Sequence, residues 1–310
     1  MPSKSKPAAR GSLEGVIVAA VTPRQPQEYC IDLGATLELI DFLGASGAKG
    51  IALLGSTGEF VHFAADDRKH MVNFAAKRSR VPLLVNVSHS TLDGAIQLAR
   101  EAAGAGVAGV LLMPPYYFRH TQETIRNFYL AFAAAIGDAT PIYLYNIPQC
   151  TNEIAATTAT ELLASGLFAG IKDSSGSLSY FDALREQAAR TPFTLLAGHE
   201  RIYVQAKLRG AQGIVSGVAS AVPELMVALE DALTCRAEER IRRLEALLKE
   251  LLDRLDVFPW PVAIKEAVRQ RQLKAGALAA PLSQDDERKL EEFGAWFRAW
   301  LPEVLRQCAA

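Results

Sequence analysis

The sequence predicts a closed (β/α)8 barrel with a C-terminal helical extension, and two patterns carry this prediction. Short apolar, β-branched runs alternate eight times with longer amphipathic segments, and the alternation stops after about Leu233. Eight strand–helix units within about 220 residues favour a closed parallel barrel (a TIM barrel) over an open doubly wound sheet, which remains the alternative. No Gly-x-Gly-x-x-Gly motif follows the first run, which argues against a dinucleotide-binding version of that sheet.

The eight strand candidates are short runs rich in Val, Ile and Leu, namely Gly15–Thr22, Gly50–Leu54, Leu83–Val87, Gly109–Met113, Pro141–Tyr145, Ala169–Lys172, Phe193–Ala197 and Gly213–Ser216. Apolar residues recur at three- and four-residue spacing between them, which predicts helices such as Leu33–Leu43, Ala65–Lys77, Leu92–Ala103 and Thr121–Ile136. Glycines that end helices just before a strand are expected at Gly47, Gly104, Gly106, Gly166 and Gly210.

Three segments are expected along the chain. Residues 1–11 are polar and basic and predict a disordered leader, residues 12–234 form the barrel, and residues 235–310 form the helical extension. The extension contains three helical patterns, Ala237–Leu255, Val262–Lys274 and Gln284–Leu305. We expect it to pack on the barrel or on another subunit and to carry no chemistry of its own.

Composition narrows the classes of function. The 33 basic and 34 acidic side chains give a net charge of −1, so no basic surface points to nucleic acid or to acidic membranes. The apolar runs are too short to span a bilayer. The four cysteines lie far apart, which argues against structural zinc and a disulfide framework and suits a reducing cytoplasm.

Lys172 is the most informative single residue. It ends the sixth strand candidate, behind the apolar Ala169-Gly170-Ile171, where a charge is costly. A partly desolvated lysine loses its charge readily and can attack a carbonyl carbon, and the resulting iminium accepts electrons from a breaking C–C or C–H bond. Lys172 is therefore the predicted Schiff-base nucleophile, with a solvated lysine as the alternative. Asp173 is expected to point to the opposite face of the strand.

Two further strand ends would adjoin Lys172, because barrel active sites lie at the C-terminal ends of the strands. Tyr145 ends the neighbouring strand, about 4.8 Å away, and its hydroxyl could transfer protons; a packing role is the alternative. Gly55-Ser56-Thr57-Gly58 follows strand two, and its N–H and hydroxyl groups could bind a carboxylate. Glu59 is expected to cap the following segment instead of doing chemistry.

Five motifs, in this order, resemble those of the dihydrodipicolinate synthase / N-acetylneuraminate lyase family of class I, pyruvate-dependent aldolases. They are Gly55-Ser56-Thr57-Gly58-Glu59, Pro115-Tyr116-Tyr117, Tyr145-Asn146-Ile147-Pro148, Gly170-Ile171-Lys172-Asp173-Ser174 and Gly213-Ile214-Val215-Ser216. The resemblance covers the barrel and extends to the helical tail.

The resemblance implies a role for each matched residue. Lys172 would carry the pyruvyl Schiff base, Tyr145 would handle protons, and Thr57 with Ser56 would bind the pyruvate carboxylate and form a relay with Tyr145. Tyr117 would reach the site of a neighbouring subunit, in a homotetramer or homodimer. The expected substrate-binding residues, which belong to or adjoin these motifs, are Gly55, Ser56, Gly198, Glu200 and Val215. No metal or organic cofactor is implied.

One position departs from the synthase pattern. The synthases carry an arginine shortly after the Tyr-Asn-x-Pro motif, where this chain has Cys150, and a thiol cannot make the bidentate contact of a guanidinium with a carboxylate. His199 and Arg201 likewise depart from the sialic-acid lyases, whereas Glu200 is acidic as in those enzymes. We therefore expect a lyase, aldolase or dehydratase acting on a 2-oxo acid with an aldehyde or sugar-acid partner. The synthase of lysine biosynthesis and a non-catalytic 2-oxo-acid-binding barrel are the alternatives.

Overall fold

A computed structural model of the protein describes residues 13–26 and 30–309. Its eight strands are all parallel and close into one barrel in the order β1 to β8, with β8 paired to β1. The predicted fold class is confirmed. The predicted leader, residues 1–11, lies outside the described residues.

The strands are buried on both faces, since their side chains either fill the barrel or pack under the surrounding helices. Their bounds are β1 Gly15–Ala19, β2 Gly50–Leu53, β3 Leu83–Asn86, β4 Gly109–Leu112, β5 Ile142–Asn146, β6 Gly170–Asp173, β7 Thr194–Ala197 and β8 Gly213–Ser216. The first four strands end earlier than predicted, β1 by three residues and β2 to β4 by one residue each. In contrast, β5 and β6 each continue one residue further, because Asn146 and Asp173 stay in register. Their side chains are also hydrogen bonded, Asn146 Nδ2 donating to Asp173 Oδ1 at 2.8 Å.

Eight helices follow the strands, and three more form the extension. Their bounds are α1 Leu33–Gly44, α2 Ala65–Arg78, α3 Leu92–Gly104, α4 Gln122–Ile136, α5 Ala156–Ala164, α6 Leu178–Ala188, α7 Tyr203–Leu208, α8 Pro223–Thr234, α9 Glu238–Leu255, α10 Val262–Gln270 and α11 Gln284–Ala309. Side-chain caps begin four of the barrel helices, at Asp32, Thr91, Thr121 and Ser177. Of the predicted helix-ending glycines, Gly47, Gly106, Gly166 and Gly210 have positive φ, and Gly104 is the last residue of α3.

The extension packs on the barrel through the leucine stripe of α9, of which Leu244, Leu248, Leu251 and Leu252 are buried. A buried ion pair adds a second attachment: Lys265 Nζ of α10 lies 2.7 Å from Glu59 Oε2, in the loop after β2. Glu59 occupies the N-cap position of the 3-10 turn Phe60–His62, as expected, but its side chain makes no capping hydrogen bond and is held by Lys265 instead. None of the helices in the described part of the chain is long and apolar enough to cross a membrane.

Candidate active site

A cavity of about 350 Å³ opens at the C-terminal ends of the strands, where the sequence predicts the active site. It brings together most of the predicted site residues, namely Lys172, Tyr145, Ser56, Thr57, Gly198, Glu200 and Val215. Two predicted residues do not line it. Gly55 is buried at the start of the loop behind Ser56, and Tyr117 lies on the protein surface.

Lys172 and Tyr145 form the closed end of the cavity. They are register partners on β6 and β5, and both are buried, with 3% and 0% of their surfaces exposed. Lys172 Nζ lies 4.0 Å from the centroid of the Tyr145 ring. No salt bridge within the described residues engages Lys172, so its amine is held against an aromatic face instead of a carboxylate.

Gly198, just after β7, makes room for the lysine side chain. A Cβ atom at this position would lie 2.9 Å from Lys172 Cε and 2.2 Å from Ser174 Oγ. Real Cβ atoms do not approach so closely, so the missing side chain lets Lys172 extend across the cavity floor.

The Tyr145 hydroxyl has a hydrogen-bond partner in the loop after β2. Tyr145 Oη and Ser56 Oγ are 3.1 Å apart, and either oxygen can donate. The resemblance implied a relay of Tyr145 with Thr57 and Ser56 together; the structure places only Ser56 in contact with Tyr145. Thr57 instead accepts a hydrogen bond from Trp260, whose Nε1 lies 3.1 Å from Thr57 Oγ1.

Trp260 belongs to the extension, which packs on the barrel as expected and also contributes side chains to the cavity wall. Leu252 and Asp256 of the same segment also line the cavity. Helical periodicity could not reveal this, because Trp260 lies in the connection between α9 and α10. The signal present in the sequence is a tryptophan between two prolines, Pro259 and Pro261, in an otherwise helical region.

Comparisons with known proteins identify the family. The model of the dihydrodipicolinate synthetase family matches residues 12–299, which covers the barrel and most of the extension. The chain belongs to this family. The predicted family resemblance is thereby confirmed, and it includes the helical tail.

The similar proteins include a curated synthase and two solved structures of the same fold. The chain is 31% identical to a 4-hydroxy-tetrahydrodipicolinate synthase of Syntrophus aciditrophicus over 94% of this chain and 97% of that protein. Its fold matches Ruminococcus gnavus sialic acid aldolase with a TM-score of 0.86, at 22% identity over 94% of this chain and 99% of that one. A prophage protein of the dihydrodipicolinic acid synthase family from E. coli K12, solved in complex with pyruvate, matches with a TM-score of 0.85, at 24% identity over 94% of this chain and 99% of that one.

Membership of the dihydrodipicolinate synthetase family makes the chain an enzyme of the lyase class. The predicted aldolase-type function is confirmed at this level, and the synthase alternative agrees with the family equally well. The alternative of a non-catalytic barrel is not supported.

The departures from the family pattern lie at the outer end of the cavity. Cys150 lines it, in the turn after β5. Partial burial raises the pKa of the Cys150 thiol above its ordinary value of 9.0, against a smaller opposing effect of the Lys172 charge. A thiol of this kind is neutral at pH 7 and cannot pair with a carboxylate.

Arg201 also reaches the outer cavity, but its guanidinium is already paired. Arg201 Nη2 lies 2.5 Å from Asp256 Oδ2 and 2.9 Å from Asp253 Oδ1, both at the end of α9. Glu200 is similarly engaged, because its Oε1 accepts hydrogen bonds from Ser216 Oγ at 2.7 Å and from the Val218 N–H at 3.2 Å. The outer cavity is therefore polar, with Arg201 ion paired and Glu200 hydrogen bonded to neutral groups.

Asp173 is separated from the cavity, as its strand position predicts. Its carboxylate accepts hydrogen bonds from Asn146 and Ser175, and burial raises the pKa of Asp173 above its usual range. Among residues 13–26 and 30–309, no group of three or more His, Cys, Asp or Glu side chains is arranged to hold a metal ion.

Proposed function

We propose that this lyase acts on a 2-oxo acid through a Schiff base on Lys172 and uses or releases pyruvate. The observation that carries the proposal is a buried lysine without a carboxylate partner, held over the Tyr145 ring at the end of a barrel strand. The pyruvate complex of the structurally similar E. coli protein supports this choice of substrate.

The reaction follows from the groups around the lysine. The Lys172 amine attacks the carbonyl carbon C2, and loss of water gives an iminium. Breaking the bond from C3 to its substituent, or removing a proton from C3, leaves its electron pair in an enamine conjugated with the nitrogen. The enamine is then protonated, or it attacks an aldehyde in the condensing direction, and hydrolysis of the iminium frees Lys172.

Tyr145 would transfer protons, and the loop after β2 would bind the substrate carboxylate. The Tyr145 hydroxyl is the proton carrier for imine formation and C–C bond change, with Ser56 as its hydrogen-bond partner. The N–H groups of Ser56 and Thr57 make no backbone hydrogen bond within the described residues, so they and the Thr57 hydroxyl are available to the substrate carboxylate.

The aldehyde partner is proposed to be a hydroxylated molecule without a second carboxylate. Neutral Cys150 and the paired Arg201 offer no cation for such a group, and an unpaired carboxylate is costly in a confined cavity. Hydroxyl groups, by contrast, would meet polar side chains: Gln149 and Ser174 line the cavity, and the buried His199 Nδ1 has no partner among the described residues.

The lysine-biosynthetic synthase reaction is the second candidate, because the relatives named above include a 4-hydroxy-tetrahydrodipicolinate synthase. It would require Arg201 to leave Asp253 and Asp256 and bind the carboxylate of aspartate semialdehyde.

Trapping with pyruvate and borohydride tests the proposed nucleophile. We expect a reduced pyruvyl adduct on the Lys172 peptide of the wild-type enzyme and no adduct on the Lys172→Ala variant. The control is Lys77→Ala, which removes an exposed lysine at the end of α2 and should leave the labelling of Lys172 unchanged. An unlabelled Lys172 in the wild-type enzyme would refute the mechanism.

Two assays separate the candidate reactions. Pyruvate release from 2-keto-3-deoxy sugar acids is expected, whereas condensation of pyruvate with aspartate semialdehyde is expected to be poor. Cys150→Arg should gain condensation activity, while Cys235→Arg, at the exposed end of α8, should not. Efficient condensation by the wild-type enzyme would establish the synthase instead.

A further inference from the structure

Trp260 joins three distant parts of the chain at the wall of the cavity. It comes from the extension, its indole donates to Thr57 in the loop after β2, and its ring covers Gly217, just after β8. A Cβ atom at residue 217 would lie 2.3 Å from Trp260 Cζ2 and 2.9 Å from Thr57 Oγ1. Only a glycine at this position lets the indole approach Thr57.

The hydrogen bond fixes the role of the Thr57 hydroxyl. An indole N–H can only donate, so Thr57 Oγ1 must accept in this bond, and its own hydrogen points elsewhere. Thr57 is buried, and no described residue accepts that hydrogen. The neighbouring Ser56 hydroxyl shares a hydrogen bond with Tyr145 in which either oxygen can donate, whereas the direction of the Thr57 hydroxyl is set by Trp260.

We propose that Trp260 is a positioning residue that orients Thr57 as a hydrogen-bond donor to the substrate carboxylate. A carboxylate only accepts hydrogen bonds, so a hydroxyl held in the donating orientation binds it without first having to reorient. The inference rests on the proposed function, because it requires the carboxylate of the Lys172-bound 2-oxo acid to lie at this loop. It assigns to the extension a part in substrate recognition.

Saturable trapping of Lys172 measures the effect directly. Trp260→Phe keeps an aromatic ring and removes the N–H, and we expect the pyruvate concentration for half-maximal trapping to rise about five- to tenfold, as for the loss of one hydrogen bond. The trapped amount at saturation should stay near that of the wild type. Acetone, which lacks a carboxylate, should be trapped equally well by both enzymes, whereas a merely structural defect would reduce trapping of both compounds.

A second variant and a matched control complete the experiment. In a Thr57→Val background, Trp260→Phe should cause no further change in half-maximal pyruvate concentration. Trp300→Phe removes an indole hydrogen bond to Glu250 elsewhere in the extension, and it should leave trapping unchanged. If Trp260→Phe does not fold, replacing Trp260 by β-(3-benzothienyl)alanine removes the N–H at nearly constant shape.

The outcomes are distinguishable. Wild-type trapping with an unchanged pyruvate dependence in the Trp260 variants would overturn this inference and leave the proposed function standing. Absence of any trapping in the wild-type enzyme would overturn both.

Discussion

The fold brings Lys172 and Tyr145, the proposed nucleophile and proton carrier, into direct contact. Pairing of β5 with β6 places them at the same height, and burial removes the water that would otherwise surround the amine. The Tyr145 hydroxyl is held by Ser56, so its position does not depend on the substrate alone. Together these contacts favour a chemical role of Tyr145 over a packing role.

Tyr145→Phe separates these two roles because it removes only the hydroxyl. We expect kcat to fall by about two to four orders of magnitude, as for the loss of a general acid–base group, with little change in melting temperature. Tyr180→Phe is the matched control. Its buried hydroxyl donates to Ile154 O at 2.8 Å and does not line the cavity, so its loss should cost about 1 kcal/mol of stability and leave kcat near normal. Near-normal turnover of Tyr145→Phe would show that the Tyr145 hydroxyl has no catalytic role and that the side chain only packs.

At the scale of elements, the site depends on how closely β6 and β7 approach each other and on how the extension is attached. Gly198 follows β7 in direct contact with the Lys172 side chain. The extension is fixed to the loop after β2 by the buried Glu59–Lys265 pair, and the same loop carries Ser56 and Thr57. The loop is thus held from the barrel side and from the extension side.

Gly198→Ala tests the contact between β6 and β7. The added methyl group should displace the Lys172 side chain and lower kcat by up to about 10²-fold, since small misplacements of a reacting group are costly. Slower borohydride trapping of Lys172 should accompany the loss. Gly44→Ala is the control, because a Cβ at the end of α1 would meet no atom within 4 Å, and it should leave activity intact. Full activity of Gly198→Ala would show that the Lys172 side chain reaches the substrate in another conformation.

At the scale of the whole molecule, Tyr117 is the residue on which the expectation of an oligomer depends. It is 89% exposed, beside Phe118, which is 69% exposed, and their rings are in edge-to-face contact. Tyr117 has a φ of 81°, which is strained for a residue with a side chain. An exposed aromatic pair on a strained turn is typical of a protein–protein contact, and Tyr117 does not line the cavity of its own subunit.

We therefore expect the active enzyme to be a homodimer or homotetramer in which Tyr117 acts across the interface. Sedimentation at assay concentration should show a dimer or larger species, and Tyr117→Ser with Phe118→Ser should shift it towards monomer and reduce kcat. Leu208→Ser removes an exposed apolar side chain elsewhere and should leave the assembly unchanged. A fully active monomer would refute the interface role while leaving the Schiff base on Lys172 untouched.

The sequence by itself determined the barrel and the placement of Lys172 beside Tyr145 at the ends of neighbouring strands. Continuous apolar strand runs, helix-ending glycines and the rule that barrel sites lie at strand ends are local or topological, so they can be inferred along the chain. Tertiary structure decided which hydroxyl of the Ser56-Thr57 pair meets Tyr145, where Glu59 is paired, and that Trp260 completes the site. These contacts join residues 89 to 206 positions apart, through side-chain directions and packing distances that no spacing in the sequence encodes.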